Sequence, residues 1–463
     1  MESSHPTQVL AASIRHAAEE AIRFRAGLPT RTVRPDKDPE ALRAAFARPL
    51  PDAGTPPETV LGELIAAAEP GLMASAGPRF FGFVTGGALP AATAADMLAI
   101  GWDQCAFNTV LSPAAAAAEQ AAGSWMKELL GIPASASVGF VTGAQGANTA
   151  GLAAARHYVL QQAGWDVERK GLIGAPAIRV VASEDRHATI DRSLRLLGLG
   201  TDLIEEVRAD DNGAIDTAHL AEVLAAGPQA PTIVCLQAGN VNTGACDDLR
   251  TGCELAHRYG AWVHVDGAFG LWAAANPATR HLVDGIELAD SWGCDGHKWL
   301  NVPYDSGFVF CSRPDVHVAA LAYTASYLVG SGVTVGPGDH TPESSRRARG
   351  FAVWAALREL GRDGVAELVD RCCRLARRFA EGLRAGGAEV VNDVVLNQVL
   401  VSFGDDARTD AVIEGVQAEG TCWLGGTTWR GRRLMRVSVS NYTTTERDVD
   451  MSVEAILRVA ASV

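Results

Sequence analysis

The segment Trp262-Val263-His264-Val265-Asp266-Gly267-Ala268 indicates the fold of this chain better than any other stretch of it. Its first four residues form a continuous, mostly apolar run, which is typical of a strand that is buried on both faces. Similar runs recur between helical stretches, at residues 138–141, 178–182, 232–237 and 308–311. Because helical connections join parallel strands, the sequence predicts an α/β fold with a mainly parallel sheet. Ligands of such a sheet bind at the carboxyl ends of its strands.

The chain of 463 residues divides by pattern into an arm, a large domain, a loop and a small domain. Residues 1–70 are helix-patterned around a proline-rich hinge and too poor in apolar residues to fold alone, so we expect them to pack on something larger. Residues 71–325 form the predicted large α/β domain. Residues 326–345 are a glycine-rich loop of the kind that serves as an active-site lid. Residues 346–463 form the predicted small α+β domain. Its expected helix, two strands and last helix lie at residues 346–384, 399–403, 434–439 and 449–459.

The composition excludes several classes of protein. The chain has 40 Lys and Arg residues against 54 Asp and Glu residues, a net charge of −14, and its basic residues cluster only in pairs. Nucleic-acid binding is therefore not expected. No apolar tract reaches the roughly 18 residues of a membrane span, and the N-terminus lacks the pattern of a secretory signal. The nine cysteines include no Cys-x-x-Cys pair, so we expect a cytoplasmic protein without a bound metal.

Two charged residues, of which Asp266 ends a predicted strand, give the first indication of chemistry. Lys298 lies in Asp295-Gly296-His297-Lys298-Trp299, where desolvation would lower its pKa and make it a nucleophile able to form a Schiff base. Taken alone, a solvated loop lysine is the commoner case. Asp266 ends a buried strand, where a carboxylate needs a cationic partner such as the pyridinium nitrogen of pyridoxal phosphate. Ala268 is small enough to leave room for a flat ring, and a helix N-cap is the other interpretation of Asp266.

A glycine-rich turn and a histidine follow two further strands. Gly143-Ala144-Gln145-Gly146 stands between a strand and a helix, so backbone N–H groups at the positive end of the helix could hold a phosphate. The turn lacks the G-x-G-x-x-G pattern of a dinucleotide site, and an ordinary strand-to-helix turn is the alternative. His187 follows the strand over residues 178–182, where it could stack on an aromatic cofactor. A hydrogen-bonded loop histidine is the alternative for this residue.

The order of these elements resembles that of the fold-type I pyridoxal-phosphate enzymes and, within them, the group II amino-acid decarboxylases. The phosphate turn comes first, then His187, then Asp266 in His-Val-Asp-Gly-Ala, and 32 residues later Lys298 in Asp-Gly-His-Lys-Trp. Gly239-Asn240-Val241-Asn242-Thr243-Gly244 follows a further strand. The resemblance extends over about residues 80–441, which is most of the chain.

The resemblance implies a role for each of these side chains. Lys298 would carry pyridoxal phosphate as a Schiff base, Asp266 would pair with the ring nitrogen, and His187 would stack on the ring. Ala268 would let the ring lie flat against the sheet. The phosphate would be held by residues of the turn and by the neighbour of the lysine: Gly143, Ala144, Gln145 and His297. Near the ring substituents we expect Asn240 or Asn242.

The resemblance also implies a substrate and an assembly. Arg436 lies where many fold-type I enzymes bind a substrate carboxylate, with a surface arginine on an exposed strand as an equal alternative. Phe83 could line an aromatic-sized pocket, although phenylalanines near a core are more often simply core. The expected reaction converts a small L-amino acid into an amine and CO2. The expected assembly is a homodimer, in which the arm wraps the partner and the glycine-rich loop covers the partner's cofactor at the interface.

The chain departs from the resemblance at two places. Many family members carry a catalytic tyrosine on the lid, but residues 328–341 contain none. Tyr323 and Tyr327 precede them, and His340 is the expected proton donor. The phosphate turn has Gly-Ala-Gln where Gly-Gly-Ser or Gly-Gly-Thr is usual. These departures leave transamination, oxidative aldehyde formation and a Cβ lyase reaction open. A non-catalytic protein of this fold and a nicotinamide oxidoreductase are disfavoured, because the charged residues are intact and no glycine fingerprint or Tyr-x-x-x-Lys pattern occurs.

Overall fold

A seven-stranded sheet forms the centre of the protein. We describe a computed structural model of the chain over residues 6–323 and 335–463. The strands of the large sheet are β1 Ser137–Val141, β2 Arg179–Ser183, β3 Ile204–Val207, β4 Thr232–Gln237, β5 Trp262–Asp266, β6 Ser291–Asp295 and β7 Gly307–Cys311. Their spatial order is β1-β7-β6-β5-β4-β2-β3. The predicted α/β fold with a mainly parallel sheet is confirmed.

One strand of the sheet runs against the others. β2, β3, β4, β5 and β6 pair in parallel, whereas β7 is antiparallel to both of its neighbours, β6 and β1. The expectation of parallel pairing is therefore wrong for the run at residues 308–311. A parallel connection needs a crossover, usually a helix, but only a short segment without an α-helix joins β6 to β7. β3 and β6 are strands that the sequence pattern did not predict.

Helices lie against the sheet, and this explains why its strands are continuously apolar. Every residue of β2, β4, β5, β6 and β7 is buried. The α-helices in the described ranges are α1 Pro6–Gly27, α2 Pro39–Phe46, α3 Pro57–Ala68, α4 Pro90–Trp102, α5 Pro113–Leu130, α6 Ala144–Gln162, α7 Val167–Lys170, α8 Ala188–Leu196, α9 Thr217–Ala226, α10 Leu249–Arg258, α11 Pro314–Leu321, α12 Gly350–Ala385, α13 Asp406–Glu419 and α14 Glu446–Ala460.

A second, smaller sheet lies in the C-terminal part of the chain. Its strands are β8 Glu389–Val390, β9 Gln398–Ser402, β10 Gly425–Trp429 and β11 Arg432–Ser438, all antiparallel in the order β10-β11-β9-β8. The long helix α12 precedes this sheet and bends at Gly361, whose φ of 61° is readily adopted only by glycine. The helix begins at Gly350 rather than at residue 346, and Arg346 instead turns inward to Glu119.

The N-terminal helices carry apolar side chains that face solvent in the single chain. No residue of α1, α2 or α3 is buried. Large apolar side chains are exposed on α1 and α3, among them Leu10, Ile14, Ile22, Val60 and Leu64. None of the helices within the described ranges combines the length and the apolar character that crossing a membrane would require.

The predicted lid falls partly outside the described residues. Residues 324–334, which include Tyr327, are not described. The segment Pro337–His340 forms one turn of 3₁₀ helix. The carbonyl oxygen of His340 lies so close to Gly139 of β1 that a Cβ at this glycine would stand 2.2 Å from it. The described end of the loop is thus packed on the edge strand β1.

Candidate active site

Five of the residues singled out by the sequence meet in one cavity at the carboxyl edge of the large sheet. It lies where β4 and β5 end and where the turn before α6 and the segment after β6 come together. Its lining includes Ala144, His187, Gln237, Asp266, Ala268 and Lys298.

Lys298 is largely buried and forms an ion pair inside the protein. Its Nζ lies 2.9 Å from Oδ2 of Asp295. Burial lowers the pKa of Lys298, but the carboxylates of Asp295 and Asp266 together outweigh burial and leave the pKa above its ordinary value. The expected lowered pKa is therefore wrong for the cavity without cofactor, because the sequence analysis counted desolvation and left out the neighbouring carboxylates.

Asp295 is the central residue of this site that the sequence analysis did not assign. Only 2% of its side chain is exposed. Its Oδ2 pairs with Lys298. Its Oδ1 accepts the N–H of Ala144 at 2.6 Å and lies 3.4 Å from Nε2 of His297. The signal was present in the sequence: Asp295 is an acidic residue that ends a buried strand, as Asp266 does. We missed it because the strand β6, Ser-Trp-Gly-Cys-Asp, lacks β-branched residues.

His187 and Asp266 are connected through the hydroxyl of Thr189. The hydroxyl lies 2.8 Å from Nδ1 of His187 and donates to Oδ2 of Asp266 at 3.3 Å. Nδ1 of His187 also accepts the backbone N–H of Thr189 at 3.2 Å and caps α8. Burial lowers the pKa of His187, and the positive charges of Lys298 and Arg436 lower it further against the opposing effect of Asp266. The imidazole is therefore neutral near pH 7 and held in one orientation.

The turn before α6 brings the N-terminus of that helix to the cavity. Gly143 has no side chain to cap the helix, and Oδ1 of Asp295 accepts the N–H of its first residue, Ala144. A Cβ at Gly143 would stand 3.0 Å from Cε1 of His297 and 3.2 Å from Oδ1 of Asp295, so glycine is needed here for close approach. An N-terminus of this kind attracts anions through its backbone N–H groups and its helix dipole.

A comparison with known proteins assigns the chain to a family. The profile described as the pyridoxal-dependent decarboxylase conserved domain matches residues 39–404. The chain belongs to the pyridoxal-dependent decarboxylase family. The resemblance seen in the sequence is thereby confirmed, and the cofactor of the family is pyridoxal phosphate.

Individual relatives in this family differ in the reactions that their names state. The chain is 27% identical to tryptophan decarboxylase 1 of Oryza sativa subsp. japonica, over 92% of this chain and 88% of the relative. It is 26% identical to 4-hydroxyphenylacetaldehyde synthase of Rhodiola rosea, over 94% of this chain and 92% of the relative. A crystal structure of Oryza sativa TDC with PLP and tryptamine has the same fold, with a TM-score of 0.90 at 24% identity, and covers 100% of this chain and 99% of that chain.

The residues of the cavity fit pyridoxal phosphate. The backbone of the first turn of α6, where Asp295 accepts the N–H of Ala144, suits the phosphate, and the buried carboxylate of Asp266 suits a protonated ring nitrogen. Ala268 adds no bulk beside the ring. The side-chain Nε2 of Gln237 is buried and has no hydrogen-bond partner among the described residues, which is consistent with a site that a polar ligand completes.

Three of the predicted cofactor contacts point elsewhere. Oδ1 of Asn240 accepts the backbone N–H groups of Asn242 and Thr243, and its Nδ2 donates to the carbonyl of Asp185, so this side chain closes a turn. Oδ1 of Asn242 accepts the hydroxyl of Thr427 on β10 at 2.9 Å.

The side chain of Gln145 donates to Ser193 of α8 at 2.9 Å, so only its backbone faces the phosphate position. His297 lies beside the cavity, where its Nδ1 accepts the N–H of Ser306 at 3.1 Å. Its ring stacks on Tyr304 with centroids 4.3 Å apart.

The side chain of Arg436 on β11 lies beside the cavity, next to Val241. Its Nη1 donates to the carbonyl of Val241 at 3.2 Å. No carboxylate of the described chain lies within ion-pair distance of its guanidinium. Burial lowers the pKa of Arg436, and the same guanidinium lowers the pKa of His187. A cation next to the cavity without an acidic partner among the described residues is suited to an anionic group of the substrate.

Phe83 and His340 are not in the cavity of their own chain. Phe83 is 66% exposed and stacks on Trp423 with ring centroids 5.3 Å apart. The ring of His340 lies 5.0 Å from that of His317, and burial lowers the pKa of His340 to about 4. The structure therefore does not bring His340 to Lys298 within one chain, and the imidazole of His340 is unprotonated near neutral pH. As placed, His340 does not have the properties expected of the proton donor.

Proposed function

We propose that this protein converts an L-amino acid into the corresponding amine and CO2. The observation that carries the proposal is the convergence of Lys298, Asp266 and His187 on one cavity, in a chain of the decarboxylase family. Lysine is the residue type that binds the cofactor's carbonyl carbon, and a carboxylate at the ring nitrogen keeps the ring an electron acceptor.

Each residue of the cavity has a defined task in this reaction. When bound, pyridoxal phosphate supplies a protonated ring that accepts the electron pair of the bond broken at the substrate's Cα. Asp266 holds the proton of the ring nitrogen. Asp295 pairs with Nζ of Lys298 and holds it in its charged form until the cofactor binds. His187 presents a neutral ring whose orientation Thr189 holds.

Two further tasks concern the substrate. Arg436 binds the substrate through a carboxylate, because its guanidinium is desolvated and has no acidic partner in the described chain. A proton takes the place of CO2 at Cα. Lys298 lines the cavity and can return a proton there once the substrate amine has replaced it.

A second candidate function is the formation of an aldehyde from the amino acid. Residues 328–341 contain no tyrosine, and the relatives include a 4-hydroxyphenylacetaldehyde synthase and a phenylacetaldehyde synthase. This reaction consumes O2 and water and releases CO2, ammonia and hydrogen peroxide together with the aldehyde. It requires the carbanion at Cα to react with O2 before it is protonated. A site without a lid tyrosine would favour this order of events.

Product analysis separates the two functions. The protein loaded with pyridoxal phosphate is incubated with a panel of L-amino acids that includes the aromatic ones, and CO2, amine, aldehyde and peroxide are measured. Amine with CO2 supports decarboxylation, whereas aldehyde with peroxide supports the second function. Keto acid without CO2 would overturn both. Lys298→Ala should lose activity and the cofactor's Schiff-base absorbance, and Lys170→Ala, at an exposed lysine, is the control.

We further propose a cytoplasmic homodimer in which the arm, residues 1–70, packs on the second copy. Its support is the row of exposed apolar side chains on α1 and α3 and the exposed Phe83, which a second chain would cover. All nine cysteines are free, as in a reducing compartment. Light scattering should give about twice the mass of 48.5 kDa, and removal of residues 1–54 should lower it. A full-length monomer at micromolar concentration would contradict the proposal.

A further inference from the structure

Gln237 is a residue of the cavity to which the proposed reaction assigns no task. It is the last residue of β4 and only 6% exposed. Its Nε2 is buried without a hydrogen-bond partner in the described part of the chain, and the side chain lines the same cavity as Asp266 and Lys298. Buried amide groups are nearly always hydrogen-bonded, so a donor left open inside a binding cavity indicates a ligand acceptor.

The backbone of Gln237 is held in place on both sides. Its N–H donates to Oδ2 of Asp247 at 2.7 Å, and its carbonyl accepts the N–H of Asp247 at 2.9 Å. Gln237 also stands directly opposite Asp266 in the parallel pair β4 and β5. The position of its side chain relative to the carboxylate of Asp266 is therefore set by the sheet.

The strand order determines which part of the cofactor Gln237 faces. The expected phosphate position is at the start of α6, the helix that follows β1 in the chain. In the sheet, β1 lies on one side of β5 and β4 lies on the other side. In pyridoxal phosphate, the phosphate arm and the phenolic oxygen project to opposite sides of the line from the ring nitrogen to the carbon that binds lysine. With Asp266 at the nitrogen and α6 at the phosphate, the phenolic oxygen faces β4.

We propose that Gln237 donates a hydrogen bond from Nε2 to the phenolic oxygen of pyridoxal phosphate. The donor stabilises the ionised form of that oxygen and so lowers the pH at which the bound cofactor loses its proton. Gln237 thereby takes the place near the ring substituents that the sequence analysis gave to Asn240 or Asn242. The proposal rests on the cofactor of the family and does not depend on which reaction follows.

The test is an absorbance titration of the cofactor-loaded protein without substrate. Gln237→Met keeps the length of the side chain and removes the donor, and it should raise the titration midpoint by about one to two pH units, the effect of one hydrogen bond to a charged group. Gln237→Glu should raise it further, because a carboxylate also repels the ionised oxygen. Gln161→Met, the same substitution at an exposed site of α6, should leave the midpoint unchanged.

A second measurement covers the alternative that Gln237 binds the substrate instead. The dissociation constant of pyridoxal phosphate for the apoprotein should rise about tenfold in Gln237→Met. An unchanged midpoint with an unchanged dissociation constant overturns the proposal, and a higher KM for the amino acid in that case would place Gln237 on the substrate. Gln237→Asn retains the amide on a shorter side chain. A titration midpoint equal to that of the wild type in both Gln237→Met and Gln237→Asn also overturns the proposal. The titration midpoint and the dissociation constant are both measured without turnover, so failure of the proposed reaction leaves these outcomes readable.

Discussion

Replacing Asp295 with asparagine tests how the protein sets the charge of Lys298. Burial lowers the pKa of Lys298, and the carboxylate of Asp295, 2.9 Å from Nζ, is the main influence that raises it above its ordinary value. Asparagine has nearly the same shape as aspartate, and its Oδ1 can still accept the N–H of Ala144. The substitution therefore removes the negative charge and changes the packing little.

The size of the effect follows from the geometry. A hydrogen bond between charged groups contributes about 1.5–3 kcal/mol, and about 1.4 kcal/mol corresponds to one pKa unit. Asp295→Asn should thus lower the pKa of Lys298 by about one to two units. At a pH well below that pKa, the neutral fraction of the lysine rises about 10- to 100-fold. Because only the neutral amine attacks the cofactor's carbonyl, the capture of pyridoxal phosphate should become faster near pH 7.

The assay is stopped-flow absorbance after mixing the apoprotein with pyridoxal phosphate between pH 6 and pH 10. The midpoint of the rate against pH should move down in Asp295→Asn. Asp290→Asn is a matched control, because Asp290 is also buried but bonds His257 and Val263 at the start of β6, away from the cavity. An unchanged midpoint would refute the reasoning. Slower capture at every pH would also refute it, and would indicate that Asp295 matters as a proton acceptor rather than as a charge.

Three further substitutions test other parts of the structure. Arg436→Met should raise KM for the amino acid about 10- to 100-fold, since the guanidinium is expected to bind the substrate carboxylate. The absorbance spectrum of the bound cofactor should stay unchanged. Steady-state kinetics and an absorbance spectrum of the variant test both expectations. Gly143→Ala should weaken cofactor binding about tenfold, because its Cβ would stand 3.0 Å from Cε1 of His297; an equal dissociation constant would contradict the close packing. Arg346→Met should lower the free energy of unfolding by about 3–5 kcal/mol in urea titrations, because it leaves the buried carboxylate of Glu119 without its partner. Since burial raises the pKa of Glu119, protonation should make this loss smaller at pH 5 than at pH 8.

The residues at strand ends could be predicted because parallel strands bring their carboxyl ends to one edge. Asp266 ends β5, and His187 follows β2. Each is fixed in position by a buried strand, so the sequence pattern alone predicts that they lie close together. Lys298 followed the same logic less directly, since its strand β6 was not recognised.

The directions of side chains in turns could not be predicted in the same way. Asn240 and Asn242 follow β4 as closely as cofactor ligands would, but asparagine bonds readily to nearby backbone groups and to neighbouring elements. Gln145 lies on the first turn of α6, and its side chain follows the helix toward α8 rather than the cavity. Sequence spacing gives the position of such residues and not the direction of their side chains.

By itself, the sequence determined the fold class, the cofactor of the family and three of the charged or aromatic groups that line the cavity. These depend on strand order and on residue types that few other chemistries need. Only the tertiary structure decided that Asp295 holds Lys298 in its charged form, that Gln237 rather than Asn240 or Asn242 faces the cavity, and that His340 packs away from it. The physical reason is that pKa values, open hydrogen-bond donors and packing depend on groups distant in the chain, and their distances are set only when the chain folds.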